Sequence, residues 1–118
     1  MTKKLMLIED EELFQDLFKE IFAKPDYQII CVNNGMEALK YPRQDLYIVD
    51  LGLPGMGGLE TLKALKRKFG GDIRSIIITG YDPSIDTRTL QDYGIIEVLQ
   101  KPFDIDRLKT LIHTIFLQ

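Results

Sequence analysis

Short, unbroken apolar runs alternate along this chain with longer stretches whose apolar residues recur at helical spacing. Leu5-Met6-Leu7-Ile8, Tyr27 to Val32, Leu46 to Val49, Ile73 to Thr79 and Ile95 to Gln100 form the first set. Such runs, rich in β-branched residues and lacking polar alternation, predict strands covered on both faces. Between the first two runs, Leu13, Phe14, Leu17, Phe18, Ile21 and Phe22 predict an amphipathic helix from Glu11 to about Lys24, ahead of Pro25, with all of these side chains in the core. Asn33-Asn34-Gly35 turns into a short helix over Met36 to Lys40, stopped by Pro42. Leu59, Leu62, Leu65 and Phe69 share one face of a third helix that Gly70-Gly71 ends. A weak polar helix spans Ser84 to Tyr93 and closes at Gly94. The last, capped by Asp104, carries Ile105, Leu108, Leu111, Ile112, Ile115 and Phe116 and runs essentially to Gln118.

Five apolar strands alternating with five helices imply parallel pairing through right-handed crossovers: an α/β fold with helices on both sides of one sheet. In such a sheet every strand ends on the same side, and ligands bind at that carboxyl edge. Residues that end the runs therefore converge although they are far apart in the chain. They are Glu9 and Asp10 after the first, Asp50 after the third, Thr79 after the fourth and Lys101 after the fifth. After Asp50, Leu51-Gly52-Leu53-Pro54-Gly55-Met56-Gly57-Gly58 forces a turn before any helix.

The 118 residues fit one domain, 1–118, with a sizeable core. A net charge of −3, from 15 Lys+Arg against 18 Asp+Glu, argues against nucleic-acid binding by the domain's own surface. The basic group Lys63, Lys66, Arg67 and Lys68 reads as a solvated helix face near the favourable end of its dipole. The single cysteine, Cys31, lies among Ile29, Ile30 and Val32 and reads as a core residue. Only four apolar residues follow the amino-terminal lysines, too few for a signal peptide or a spanning helix, so a soluble, cytoplasmic protein without membrane contact is expected.

Three converging carboxylates repel one another and call for a cation. Oxygen ligands without nearby Cys or His favour a hard ion, Mg²⁺. Asp10 and Asp50 suit direct ligation and Glu9 ligation through water. With the metal, the Thr79 hydroxyl and the Lys101 ammonium meeting phosphoryl oxygens, Asp50 is the candidate nucleophile, forming an aspartyl phosphate.

The segments Leu-Ile-Glu-Asp-Glu-Glu at 7–12, Tyr-Ile-Val-Asp-Leu-Gly-Leu-Pro-Gly-Met-Gly-Gly-Leu-Glu at 47–60, Ile-Ile-Ile-Thr-Gly-Tyr at 76–81 and Val-Leu-Gln-Lys-Pro-Phe at 98–103 together resemble the receiver domain of two-component response regulators, including the chemotaxis regulators. The resemblance spans nearly the whole chain. It implies the flavodoxin-like doubly wound sheet, strand order 2-1-3-4-5. It also implies Asp50 as phosphoacceptor, Glu9 and Asp10 as the acidic pair at the metal, the Gly52 carbonyl as a further metal ligand, Thr79 as switch hydroxyl and Lys101 as the lysine preceding a cis proline, Pro102. The implied partner is a histidine kinase or phosphotransfer protein. The implied response is a change in the surface built from the fourth helix, fifth strand and fifth helix, read by an output partner or attached output domain, with a phosphorylation-dependent dimer as one form.

Four departures from that pattern are visible. Glu9 stands where Asp is commoner, and Val98 where an aromatic residue usually rotates with the switch hydroxyl. The second helix is shorter than the family's by about three residues. Gly52 and Tyr81 flank the path of an attacking water, with no side chain on one side and a large one on the other. A degenerate receiver kept for protein binding is the alternative, against which the complete acid, hydroxyl and lysine set speaks. A flavin carrier of the same fold fits poorly, because Glu9-Asp10-Glu11-Glu12 is acidic where a flavin phosphate needs amides and hydroxyls. No second nucleophile marks an enzyme acting on a separate substrate.

Overall fold

In a computed structural model, residues 2–81 and 84–117 are described, so Gln118 lies outside them. The elements follow one another as β1 (Lys3–Ile8), α1 (Glu12–Ile21), β2 (Tyr27–Val32), α2 (Gly35–Ala38), β3 (Leu46–Asp50), α3 (Gly58–Phe69), β4 (Ser75–Thr79), α4 (Thr87–Asp92), β5 (Ile95–Gln100) and α5 (Ile105–Leu117). The strands form one parallel sheet in the order β2-β1-β3-β4-β5, as the resemblance implies. Among the described residues no helix is long and apolar enough to cross a membrane.

Every residue of the interior strands β3 and β4 is buried, which is why their sequences run apolar without alternation. The edge strands β2 and β5 are only partly covered. Two cores result. Met6, Ile8, Tyr47, Val49 and Ile77 pack with Leu62 and Leu65 of α3 on one side. On the other, Leu5, Leu7, Ile48, Ile76 and Ile78 pack with Phe18 and Phe22 at α1 and Leu108 and Ile112 of α5.

The structure departs from the periodicity reading at several element ends. Helix α1 stops at Ile21 rather than near Lys24, because Pro25 disfavours helical backbone before it and Lys24 instead accepts from the Tyr27 N–H across a turn. Its apolar face is narrower than expected: Phe18 and Phe22 are fully covered, but Leu13 is 78% exposed and Leu17 42%. Helix α2 is shorter still than the segment 36–40, beginning at Gly35 under an Asn34 cap and ending at Ala38. Strand β4 begins at Ser75, not Ile73. Ile73 is buried but precedes the sheet, where its carbonyl abuts Gly94, so closely that a Cβ there would stand 1.8 Å from the oxygen. Helix α4 begins at Thr87 rather than Ser84, because Asp86 caps it by accepting from the Thr89 N–H. Cys31 is half-buried against the second core rather than within it.

The uneven burial of α1 fixes an expected outcome. Phe18→Ala costs about 3–5 kcal/mol of unfolding free energy, while Leu13→Ser changes it by less than about 0.5 kcal/mol. Denaturant titration of both variants checks this, and a large loss at Leu13 would contradict the exposed placement.

Candidate functional site

Strand pairing brings the run-ending residues to one edge. Ile8 pairs with Val49, and Asp50 with Ile78, so the acids after β1 and at the end of β3 lie side by side. Carboxylate oxygens of Glu9, Asp10 and Asp50 lie within 4.8 Å of one another. Glu9 is 1% exposed and Asp50 7%, whereas Asp10 faces solvent. Beyond β5, the Lys101 N–H donates to the Thr79 carbonyl at 2.6 Å, which anchors the lysine beside β4. Its Nζ then stands 3.0 Å from Glu9 Oε2, 3.5 Å from Asp50 Oδ2 and 3.9 Å from Glu11 Oε2. The Lys101–Pro102 bond is cis, as the resemblance implies.

Each acid is held by more than charge. The Gly52 N–H donates to Asp50 Oδ1 at 2.9 Å, turning the other oxygen toward Lys101. The Glu11 N–H donates to Glu9 Oε1 at 3.0 Å. Glu11 is the N-cap residue of α1, and no side chain caps that helix, so Asp10 is not spent as a cap. Thr79 is fully buried, and its Oγ1 accepts from the Tyr81 N–H at 3.2 Å. Tyr81 itself is exposed and lines a groove of about 310 Å³ with Leu51, Gly57, Gly58 and Ile85. At the start of α3 a Cβ on Gly58 would stand 2.7 Å from the Asp50 carbonyl oxygen, so glycine lets that helix approach the strand end.

Burial pushes the Glu9 carboxyl up to about 7. The hydrogen bonds from Lys101 and the Glu11 amide oppose the rise, and the charge of Asp50 adds to it. Burial works against the Lys101 charge, but the hydrogen bond and charge of Glu9, with Asp50 behind them, outweigh it and raise that group. One ammonium thus faces more negative charge than it can neutralise. The oxygen-only donor set fits a hard cation, and the cluster can hold one.

All sequence-named side chains of the site, Glu9, Asp10, Asp50, Thr79 and Lys101, therefore meet at the carboxyl edge. Gly52 joins them through its amide. Two contributors escaped the sequence reading: Glu11, which touches both Glu9 and Lys101, and Gly58, read there only as part of a turn. In sequence Glu11 is one acid in a run of four and carries no distinguishing signal.

The family model for the response regulator receiver domain matches residues 5–113. The chain belongs to that family. This receiver is 34% identical over 112 residues to sporulation initiation phosphotransferase F of Bacillus subtilis, covering 92% of this chain and 90% of that protein. It is 33% identical over 119 residues to the transcriptional regulatory protein CrdR of Helicobacter pylori, covering 98% of the chain but 56% of that longer protein. Among solved structures, the response regulator TrrA from Thermotoga maritima, in complex with Mg²⁺-BeF, superposes with a TM-score of 0.76 at 31% identity, over 96% of this receiver and 98% of that chain. Receiver domains are phosphoacceptors rather than enzymes with separate substrates.

The raised Glu9 carboxyl gives the receiver a pH signature. Its folded value, about 7, lies above its ordinary 4.5, so its contribution to stability is full below 4.5 and is lost as pH rises through 7. A cation competes with the same proton. The rise in Tm on adding Mg²⁺ is therefore expected to grow as pH passes upward through about 7, as thermal melts on either side of that value will show. An increment that stays level across the range would contradict the role given to Glu9.

Proposed function

We propose that this receiver accepts a phosphoryl group on Asp50 in a Mg²⁺-dependent reaction, taking it from a histidine kinase or phosphotransfer protein in two-component signalling. The observation that carries the reading is the meeting of Glu9, Asp10 and Asp50 within 4.8 Å beside the partly covered ammonium of Lys101. Asp10, Asp50, Glu9 and the Gly52 carbonyl would hold Mg²⁺, which would supply charge neutralisation for the phosphoryl oxygens. The protein's own groups do the rest. The Gly52 N–H fixes one Asp50 oxygen, leaving the other to attack phosphorus while the donor's phosphoramidate nitrogen leaves with the bonding electron pair. Lys101 Nζ is placed to stabilise charge on the transferred group. The Thr79 hydroxyl is the second candidate donor to that group.

A phosphodonor must cover the mouth of the site, and the rim is apolar where it should contact one. Leu13 and Leu17 are exposed on α1, and beside them a groove of about 470 Å³ is lined by Phe14, Leu17, Pro102, Phe103 and Ile105, with Glu11 and Lys101 at its polar end. This strip is the proposed seat of the donor protein. The proposed responding surface is the one made by α4, β5 and α5, and α4 contributes no fully buried residue to hold it in place. The site as a whole is proposed to work in the cytoplasm, within one domain spanning residues 1–118.

Incubation with Mg²⁺ and acetyl phosphate, followed by intact-mass analysis, is expected to give a single phosphoryl adduct that Asp50→Asn and EDTA both abolish. Absence of an adduct on the wild type would favour a receiver kept only for protein binding. Leu17→Asp separates docking from chemistry. It is expected to cut transfer from a phosphohistidine donor protein by about tenfold or more while leaving acetyl phosphate labelling unchanged. Equal loss from both donors would remove the docking assignment.

A further inference from the structure

Gln15 takes no part in the chemistry above, yet its side chain reaches from α1 back into the loop that carries the acidic pair. Its Nε2 donates to the Glu9 carbonyl at 2.5 Å and to Asn33 Oδ1 at 2.8 Å. Asn33 is placed in turn by its own N–H on Glu37 Oε2 at 3.2 Å, and the Glu37 N–H returns to Asn34 Oδ1 at 2.9 Å. The Glu9 N–H donates to the Val32 carbonyl at 3.0 Å. Gln15 thus ties the β1–α1 loop to the β2–α2 loop.

The geometry matters because Glu9 and Asp10 lie between β1 and α1, in neither element. No regular ladder orients the peptide that joins them. That peptide is a rigid plane, so a donor on its oxygen sets the rotation of the plane and the direction in which Asp10 leaves it. Asp10 is the exposed member of the acidic cluster and has no burial to hold it in place.

We infer that Gln15 is a positioning residue for the acidic cluster: by holding the Glu9 carbonyl it keeps the Asp10 carboxylate within reach of Asp50 and thereby sets the cluster's affinity for a divalent cation. This rests on the Mg²⁺ reading given above. The outer partner of a metal ligand commonly matters this much, since a ligand that must be recruited from a mobile loop binds less well than one already aimed.

Calorimetric titration with Mg²⁺ and metal-free thermal melts test the inference on the whole chain. Gln15→Met keeps the length of the side chain and removes its donors. It is expected to weaken Mg²⁺ binding by about tenfold while moving the metal-free Tm little. Gln15→Lys returns an N–H donor at similar reach and is expected to recover part of the loss, although its charge opposes cation binding. Affinity of the methionine variant within about twofold of wild type, or a lysine variant no tighter than the methionine one, would overturn the role. Should Gln15→Met fail to fold, Asn33→Ala removes the acceptor that aims the amide, and undiminished Mg²⁺ affinity in that variant overturns the role equally. A wild type that binds no Mg²⁺ strikes at the cation reading itself, an outcome distinct from wild-type binding that Gln15 does not influence.

Discussion

The ammonium of Lys101 is the counter-charge on which the carboxyl edge depends. It lies between the buried carboxylates of Glu9 and Asp50, with Glu11 outside them, and no other basic residue pairs with these acids among the described residues. Removing one partner from a buried charge group leaves the others uncompensated, which costs far more than losing an exposed pair. The position demands reach. β5 is separated from β3 by β4, so the side chain must cross the end of β4 to meet Asp50. Pairing of the Lys101 N–H with the Thr79 carbonyl fixes where that crossing starts, and Nζ ends 5.8 Å from the centre of the Phe14 ring. The sheet order, the lysine and the acids are therefore one constraint seen at three scales.

The two faces of the sheet are held unequally. α1 and α5 cover one face with Phe18, Leu108 and Ile112, all fully buried, reinforced by Phe22 just past the end of α1. On the other face α3 supplies most of the cover through Leu62 and Leu65, α2 adds Ala38, and α4 adds only the half-buried Leu90. Tyr93, just past the end of α4, packs there with Val98 of β5. An element with few buried apolar contacts opens or shifts at least cost. α4, which contributes no fully buried residue, is that element in this fold, and it follows in the chain on the loop leading from Thr79.

Most of this was legible in the residues because burial on two faces writes itself as unbroken apolar runs. Leu46 to Val49 and Ile76 to Ile78 are fully covered, and their terminal Asp50 and Thr79 stand where the parallel-sheet argument puts them. The failures have physical causes. Helical spacing reports which residues share a stripe but not how wide a stripe the partner surface covers, so Leu13 and Leu17 look like core in sequence and lie exposed in the fold. Ile73 looks like part of β4 in sequence because apolar character records burial, and burial extends past the last ladder bond. Glu11 and Gln15 gave no signal, because a polar residue on a helix surface looks the same in sequence whether it meets solvent or reaches back to a loop.

Val98 sharpens the question of how a change at Asp50 could travel. With no aromatic ring to swing at that position, the proposed response would have to be carried by groups already present between the strand ends and α4. Thr79 Oγ1 accepts from the Tyr81 N–H, and accepting leaves the hydroxyl proton free to be given elsewhere. A phosphoryl oxygen near Asp50 is an acceptor that could draw that proton, and rotation of Thr79 toward it would release the Tyr81 amide. Tyr81 begins the segment leading to the Asp86 cap of α4, so the freed amide lies upstream of the helix with the least to lose by moving. On the proposed phosphorylation of Asp50, coupling would then be a matter of a hydrogen bond exchanged at the backbone, with Val98 offering packing alone.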